Sequence, residues 1–234
     1  MIDSVGATAA SMEAVNRQYE AITHNLANSS TTAFKRTLCV QTSGDGGDAG
    51  PAGIAPTLSV DFTQGNFIQT DRPLDLALSG PGFFTLETPG GVLYTRNGTF
   101  QTNAEGQLVD AFGRVVAGEN GPIVIPRSAA SSSVNVAADG RVTAAGAPVG
   151  KLRIAEFKDL QALTPVGQGA YRTAAPPDPA AKTTVRQGYQ EGSNVNVVEE
   201  LVGLITAARA YEANLKVVQA GSERTKSLLQ VALG

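Results

Sequence analysis

Few side chains in this sequence have the means to do chemistry. There is one histidine, His24, and one cysteine, Cys39. A thiolate–imidazole pair needs the base within reach of the sulfur and a third group to orient the base, and the sequence places no such group. His24 flanks the apolar side of a helical run, and Cys39 is either a free thiol or, as is commoner, a small buried apolar residue. A single cysteine excludes an intramolecular disulfide and a multi-thiolate metal site. The carboxylates Asp71, Asp75, Glu87, Asp110 and Asp139 fall mostly at turns, where a carboxylate bonds nearby backbone. Two of them across a β cleft could flank a sugar, but nothing in their spacing pairs them. Asn28-Ser29-Ser30 and Asn97-Gly98-Thr99 match the short glycosylation pattern. The glycines between Gln41 and Pro56 make no phosphate cradle, because no Lys-Ser/Thr follows and no strand and helix flank them. No catalytic site, metal or cofactor is expected, and the chain reads as a non-enzyme with an exposed binding surface.

The elements that must carry such a surface stand at the two ends. Val198, Leu201, Ile205, Ala208, Tyr211, Leu215, Val218 and Leu229 recur at steps of three and four, the period of one helix face. A helix from about Ser193 to Gly234 would run on the order of 50–60 Å. Asn196 can cap it, Glu199 can bond back, and Glu199 and Glu200 suit the positive end of its dipole. Gly203 and Gly221 cost about 1 kcal/mol each against alanine, so packing rather than propensity must hold it. The first thirty residues supply a matching ladder of Val5, Ala9, Met12, Val15, Tyr19, Ile22 and Leu26, and are read as its partner. Asn25–Arg36, rich in Asn, Ser and Thr, should end that first helix, and Phe34 then needs burial.

The chain between has a different period. From Leu58 to Thr173 short β-type runs alternate with turn chemistry: Phe83–Thr88, Val92–Thr95, Gln107–Val109, Ile123–Ile125, Val134–Val136, Arg141–Thr143 and Leu152–Phe157. Asn97-Gly98 and Asp139-Gly140 suit two-residue hairpin turns, and Asn103–Val109 and Ala138–Thr143 share an acid-glycine turn leading into a strand. Paired prolines in Ala174–Lys182 mark a linker. The fold class is α+β. Residues 1–36 are the N-terminal helix and its following motif, 37–57 a flexible Gly/Pro-rich loop and 58–173 a central antiparallel β domain. Residues 174–192 form a linker and return strand, and 193–234 the C-terminal helix.

The 234 residues, 42% of them hydrophobic, can bury a real core. A net charge of −3 gives no basic footprint for nucleic acid. No apolar run approaches the 18 or so residues of a spanning helix, so no membrane insertion is expected. The first residues also lack the continuous apolar region of a secretory signal, since Ser11, Glu13, Asn16 and Gln18 interrupt it.

Several stretches together, in this order, resemble the bacterial flagellar basal-body rod and hook family. They are Asn25-Leu26-Ala27-Asn28 with Thr32 and Phe34-Lys35-Arg36; Pro73-Leu74-Asp75-Leu76-Ala77-Leu78; Gly82-Phe83-Phe84; Tyr94 to Phe100; Ser193 to Glu200; and Arg209 to Asn214. The likeness spans nearly the whole chain and points to the family's rod proteins, proximal or distal. Ala33 departs from the glycine usual in the family, at a cost of roughly 1 kcal/mol if the position needs positive φ.

The resemblance implies a structural subunit that polymerises through coiled-coil-like terminal helices into the shaft transmitting motor torque. It implies export through the flagellar type III apparatus without a cleaved signal peptide, a place in the basal body where the rod crosses the periplasm, and neighbouring rod or hook subunits as partners. The assembly surface is then the ladder residues of both ends, with Asn28 and Phe34 of the motif between. The alternative is a glycan-binding or cell-wall-acting β domain on a helical stalk.

Overall fold

The structure, a computed structural model, describes residues 2–43, 54–127 and 133–233. The chain is α+β, and it divides into two compact units. The first is formed by residues 1–29, 36–61 and 195–234. Its helix α1 spans Ile2–Ala27. Thr37–Ser43 (β1) and Ile54–Val60 (β2) form an antiparallel ribbon with Thr37 opposite Val60, and helix α2 runs Val197–Leu233.

The end of α1 follows from its Asn-Ser composition. The Asn28 side-chain amide donates to His24 O (2.9 Å) and the Ser29 hydroxyl to Leu26 O (2.9 Å), satisfying carbonyls that a helix end leaves open. Asn25, buried within the helix, then takes hold of the ribbon. Its Nδ2 donates to Thr37 O and its Oδ1 accepts from Thr37 N, each at 2.8 Å, so one side chain imitates a strand neighbour.

The second unit comprises residues 30–35 and 62–194. Its strands are β3 (Phe67–Gln69), β4 (Leu76–Ser79), β5 (Phe83–Thr88), β6 (Gly91–Thr95), β7 (Phe100–Thr102), β8 (Leu108–Asp110), β9 (Val115–Gly118) and β10 (Gly121–Pro122). They continue as β11 (Val134–Val136), β12 (Arg141–Ala144), β13 (Ala147–Lys151), β14 (Ile154–Glu156), β15 (Thr164–Gly167), β16 (Ala170–Arg172), β17 (Asp178–Pro179), β18 (Thr184–Gln187) and β19 (Tyr189–Glu191). The main sheet runs β15-β16-β6-β5-β9-β8-β7, with β10 beside β9, β14 on β5 and β17 on β14. β11-β12-β13 form a second sheet, and β18 and β19 pair with β4 and β3. All pairings are antiparallel.

Strand β5 is covered on both faces because alternate residues point to opposite sides. Phe84 and Leu86 enter the main core with Leu76, Leu78, Val116 and Val142, where Phe84 meets Phe100 edge-on at 5.0 Å. Phe83 joins a separate aromatic group of Phe62, Phe157 and Tyr171.

Three expectations change. Segment 37–57, expected as a loop, carries β1 and β2 toward its ends, while residues 44–53 lie outside the described residues. In segment 174–192 the expected return strand is present as β18 and β19, while the proline stretch 174–182, expected as a linker, supplies β17 to the edge of β14. Asn97-Gly98 makes no hairpin turn: Asn97 Oδ1 accepts from Thr99 N (3.0 Å), and Gly98 lets the Leu76 backbone approach where a Cβ would collide with its carbonyl.

The acid-glycine turns do share one geometry, and a third copy appears at Asp110–Arg114. In each, the first residue's N–H donates to the fifth carbonyl and its carbonyl accepts from the glycine. The glycines Gly106, Gly113 and Gly140 sit at φ +80, +79 and +86.

Candidate assembly interface

Helix α2 starts where expected, with Asn196 Oδ1 accepting from Val198 N (3.1 Å). Glu199 returns not to the Asn196 backbone but to its Nδ2 (3.0 Å). Glu200 turns inward, its side chain 1% exposed, and accepts from Arg36 Nε at 2.6 Å. The Arg36 guanidinium also lies 3.7 Å from Glu199. A buried carboxylate needs such a cation, so Arg36 ties the foot of α2 to the start of the ribbon.

The residues of α2 that face inward are Glu200, Gly203, Leu204, Ala207, Ala210 and Asn214. Of these Glu200 and Ala207 are buried, and a Cβ on Gly203 would stand 3.2 Å from Ile22 Cδ1. Asn214 Nδ2 donates to Ser11 Oγ at 3.1 Å, farther along α1. Small residues let the two helices approach. The sequence reading paired the larger ladder with the first helix and also gave it to the assembly surface; on the side facing α1 it is the small residues that stand.

That ladder looks outward. Val198, Leu201, Val202 and Ile205 are 69%, 43%, 60% and 55% exposed. At 100° per residue their side of the helix is opposite Ala207. Ala208 is exposed with them, and Tyr211, Leu215 and Val218, also exposed, flank the inward face farther along. On α1, Ile22 is buried, Met12, Val15 and Leu26 are half-buried, and Tyr19 is exposed. Asn28 is spent on the helix end, and Phe34 is half-buried with its carbonyl accepting from Asn194 N (3.3 Å). The side chains of Val5, Ala9 and Leu229 lie outside the described residues.

The motif after α1 is fixed in the β unit by an ionic centre that sequence reading missed. Lys35 Nζ donates to Glu191 Oε1 (2.6 Å) and Thr63 O (2.7 Å), and Gly65 N donates to the same carboxylate oxygen (3.1 Å). Arg96 donates to Gly80 O (2.7 Å) and Gly82 O (2.5 Å) and lies over the Phe83 ring, 5.4 Å from its centroid. Its Nε stands 3.3 Å from Glu191 Oε2 without a hydrogen bond between them. Burial draws the Arg96 guanidinium below its ordinary range, against the opposing pull of Glu191. Two residues 156 positions apart could not be paired from spacing.

The groups with catalytic potential do not converge. Asp110 Oδ1 caps its turn through Phe112 N and Arg114 N (both 2.9 Å), and Asp139 Oδ1 does the same for Arg141 N (3.2 Å). Asp75, fully buried, accepts from the Thr70 hydroxyl and Gln190 Nε2, each at 2.7 Å. His24 and Glu87 are exposed, and Cys39 is a half-buried free thiol. Among the described residues no group of three His, Cys, Asp or Glu side chains is placed to hold a metal.

Residues 77–144 match a model described as the flagellar hook protein FlgE/F/G D1 domain, and 186–231 one described as the flagellar basal body rod FlgEFG protein C-terminal. The chain is 34% identical over 265 aligned residues to a flagellar basal-body rod protein FlgG of Buchnera aphidicola, covering 99% of this chain and 100% of the relative. The chain belongs to the flagellar basal-body rod protein family. Rod proteins named FlgF match at the same level, 34% in Caulobacter vibrioides (92% of each chain) and 33% in Salmonella typhimurium (97% of each). The C-terminal rod match takes in the end of β18, all of β19 and most of α2, including the outward strip. These relatives speak for a structural protein of the rod and give no support to a glycan-binding or wall-acting β domain.

Proposed function

We propose that this rod-family chain is a subunit that polymerises through the outward face of α2 and the exposed part of α1, and so builds the shaft that carries motor torque. The observation that carries the reading is the strip Val198, Leu201, Val202 and Ile205, exposed along a helix whose opposite side is already occupied. Burying a side chain from full exposure contributes about 1.5–3 kcal/mol, and these four are each roughly half exposed, so covering them offers about 3–7 kcal/mol together. Association costs about 4–15 kcal/mol in lost freedom, which leaves one contact weak and a lattice of several neighbours stable. Contacts that do not close on themselves extend into a helical filament.

On this reading the terminal helices pack with those of neighbours in coiled-coil fashion, and the β unit keeps its own core. The subunit reaches the periplasmic rod through the flagellar export apparatus and meets rod or hook subunits there. Among the described residues no helix is long and apolar enough to cross a membrane.

The test is Leu201→Asp combined with Ile205→Asp. The purified variant should unfold at the parent's temperature yet fail to polymerise, and cells carrying it should lack completed rods. Normal basal bodies and swimming in those cells would refute the reading.

A further inference from the structure

Arg186, in β18, lies over two aromatic rings, its guanidinium carbon 4.7 Å from the Phe67 centroid and 4.5 Å from that of Tyr189. Tyr189 stands opposite Gln69 in the β19–β3 pair, and Phe67 is two residues before Gln69. Both rings therefore leave the same face, which is why one cation can reach both. Arg186 is exposed, and among the described residues its guanidinium has no carboxylate and no hydrogen-bond acceptor. Contact with two rings restrains the head group of this exposed residue, so less freedom remains to be lost when a planar acceptor arrives.

The same molecule carries the complementary charge elsewhere. Glu20, Glu87, Glu105 and Glu212 are exposed and, among the described residues, have no cationic partner. Acidic residues exceed basic ones, 21 to 18, so a second copy is a ready source of carboxylate. We propose that Arg186, braced by Phe67 and Tyr189, is an anchor of the subunit interface that takes a carboxylate of a second copy in a two-pronged hydrogen bond. This rests on the assembly reading above, but it concerns a strand of the β unit rather than the α2 strip.

The test uses the full chain, with Arg186→Gln and Arg186→Lys, and follows the concentration above which it polymerises. Both variants should unfold at the parent's temperature. Arg186→Gln should raise the critical concentration about tenfold in dilute buffer, with the gap closing near 1 M salt, where exposed ion pairs are screened. In polymers of Arg186→Lys mixed from isotopically light and heavy copies, a carbodiimide should join the substituted amine to an Asp or Glu of a different copy. A critical concentration equal to the parent's at every salt, or joining only within one copy, overturns the anchor. So does joining that appears only when other rod proteins are added. A parent that stays monomeric at all concentrations overturns the assembly reading itself, and the anchor with it.

Discussion

Lys35 Nζ lies 2.6 Å from Glu191 Oε1 with both side chains fully buried, although 156 residues separate them in the chain. The pair holds the motif after α1 against the last strand of the β unit, and Arg96 makes it a centre with two cations around one anion. Removing the anion leaves both cations buried without a counter-charge. Glu191→Gln should therefore cost about 3–5 kcal/mol in urea unfolding of the β unit. Lys35→Met should cost less, because Arg96 still faces Glu191. Equal, small losses for the two would show that the centre contributes little.

Ala33 takes φ +56 and is buried, with its N–H donating to Glu191 O at 2.7 Å. The sequence flagged this position, and the structure shows that it needs the left-handed conformation. Ala33→Gly relieves about 1–2 kcal/mol of strain. The lost methyl (about 0.8 kcal/mol) and the freer unfolded chain offset most of it, so that variant should unfold within about 1 kcal/mol of the parent. Ala33→Val has no such offset, since a β-branched residue is a genuine outlier there, and should lose about 2 kcal/mol or more. Unfolding midpoints for the three chains decide the matter.

The two sides of α2 separate stability from assembly. Ala207 is 1% exposed, and Ile205, two residues earlier, is 55% exposed. Ala207→Leu overpacks the side facing α1 and should cost about 1–3 kcal/mol, read as a lower melting temperature of the helical signal. Ile205→Ser should leave that temperature unchanged and lower polymer yield instead. If the two effects were exchanged, the inward and outward faces would be assigned the wrong way round.

What the sequence disclosed depended on whether the pattern was local. The acid-glycine turns and the cap at Asn196 were legible because each is set by residues within four positions. The helical ladder at Val198, Leu201 and Ile205 was legible as a face, but not which way that face looks. Periodicity marks an apolar stripe, and only the small residues Gly203 and Ala207 show which side admits another helix. Phe83 and Phe84 hid the two-sided burial of β5, since a strand covered on both faces has no alternation to read. Residues 174–182 read as a linker because the prolines sit there, yet Asp178–Pro179 pairs with Ala155–Glu156. The return strand that follows was legible but its neighbour was not, since Thr184–Gln187 pairs with Leu76–Ser79, more than a hundred positions away.

Tyr171 gives the β unit a titration of its own. It is buried against Phe62 and Phe83, at ring distances of 5.2 and 6.0 Å. Burial pushes its phenol up from 10.0 to about 12, with the nearby Arg96 pulling the other way. The folded state thus keeps a proton that the unfolded chain has begun to lose. Its contribution is whole below pH about 10 and falls by roughly 1.4 kcal/mol for each pH unit between about 10 and 12. Tyr171→Phe preserves the ring contacts and removes the proton. Stability of the parent should therefore drop more steeply than that of the variant over this window, and the two curves should run parallel from pH 6 to 9. Parallel curves through pH 12 would mean that the phenol ionises as readily in the fold as outside it, and would contradict the close aromatic packing from which the shift arises.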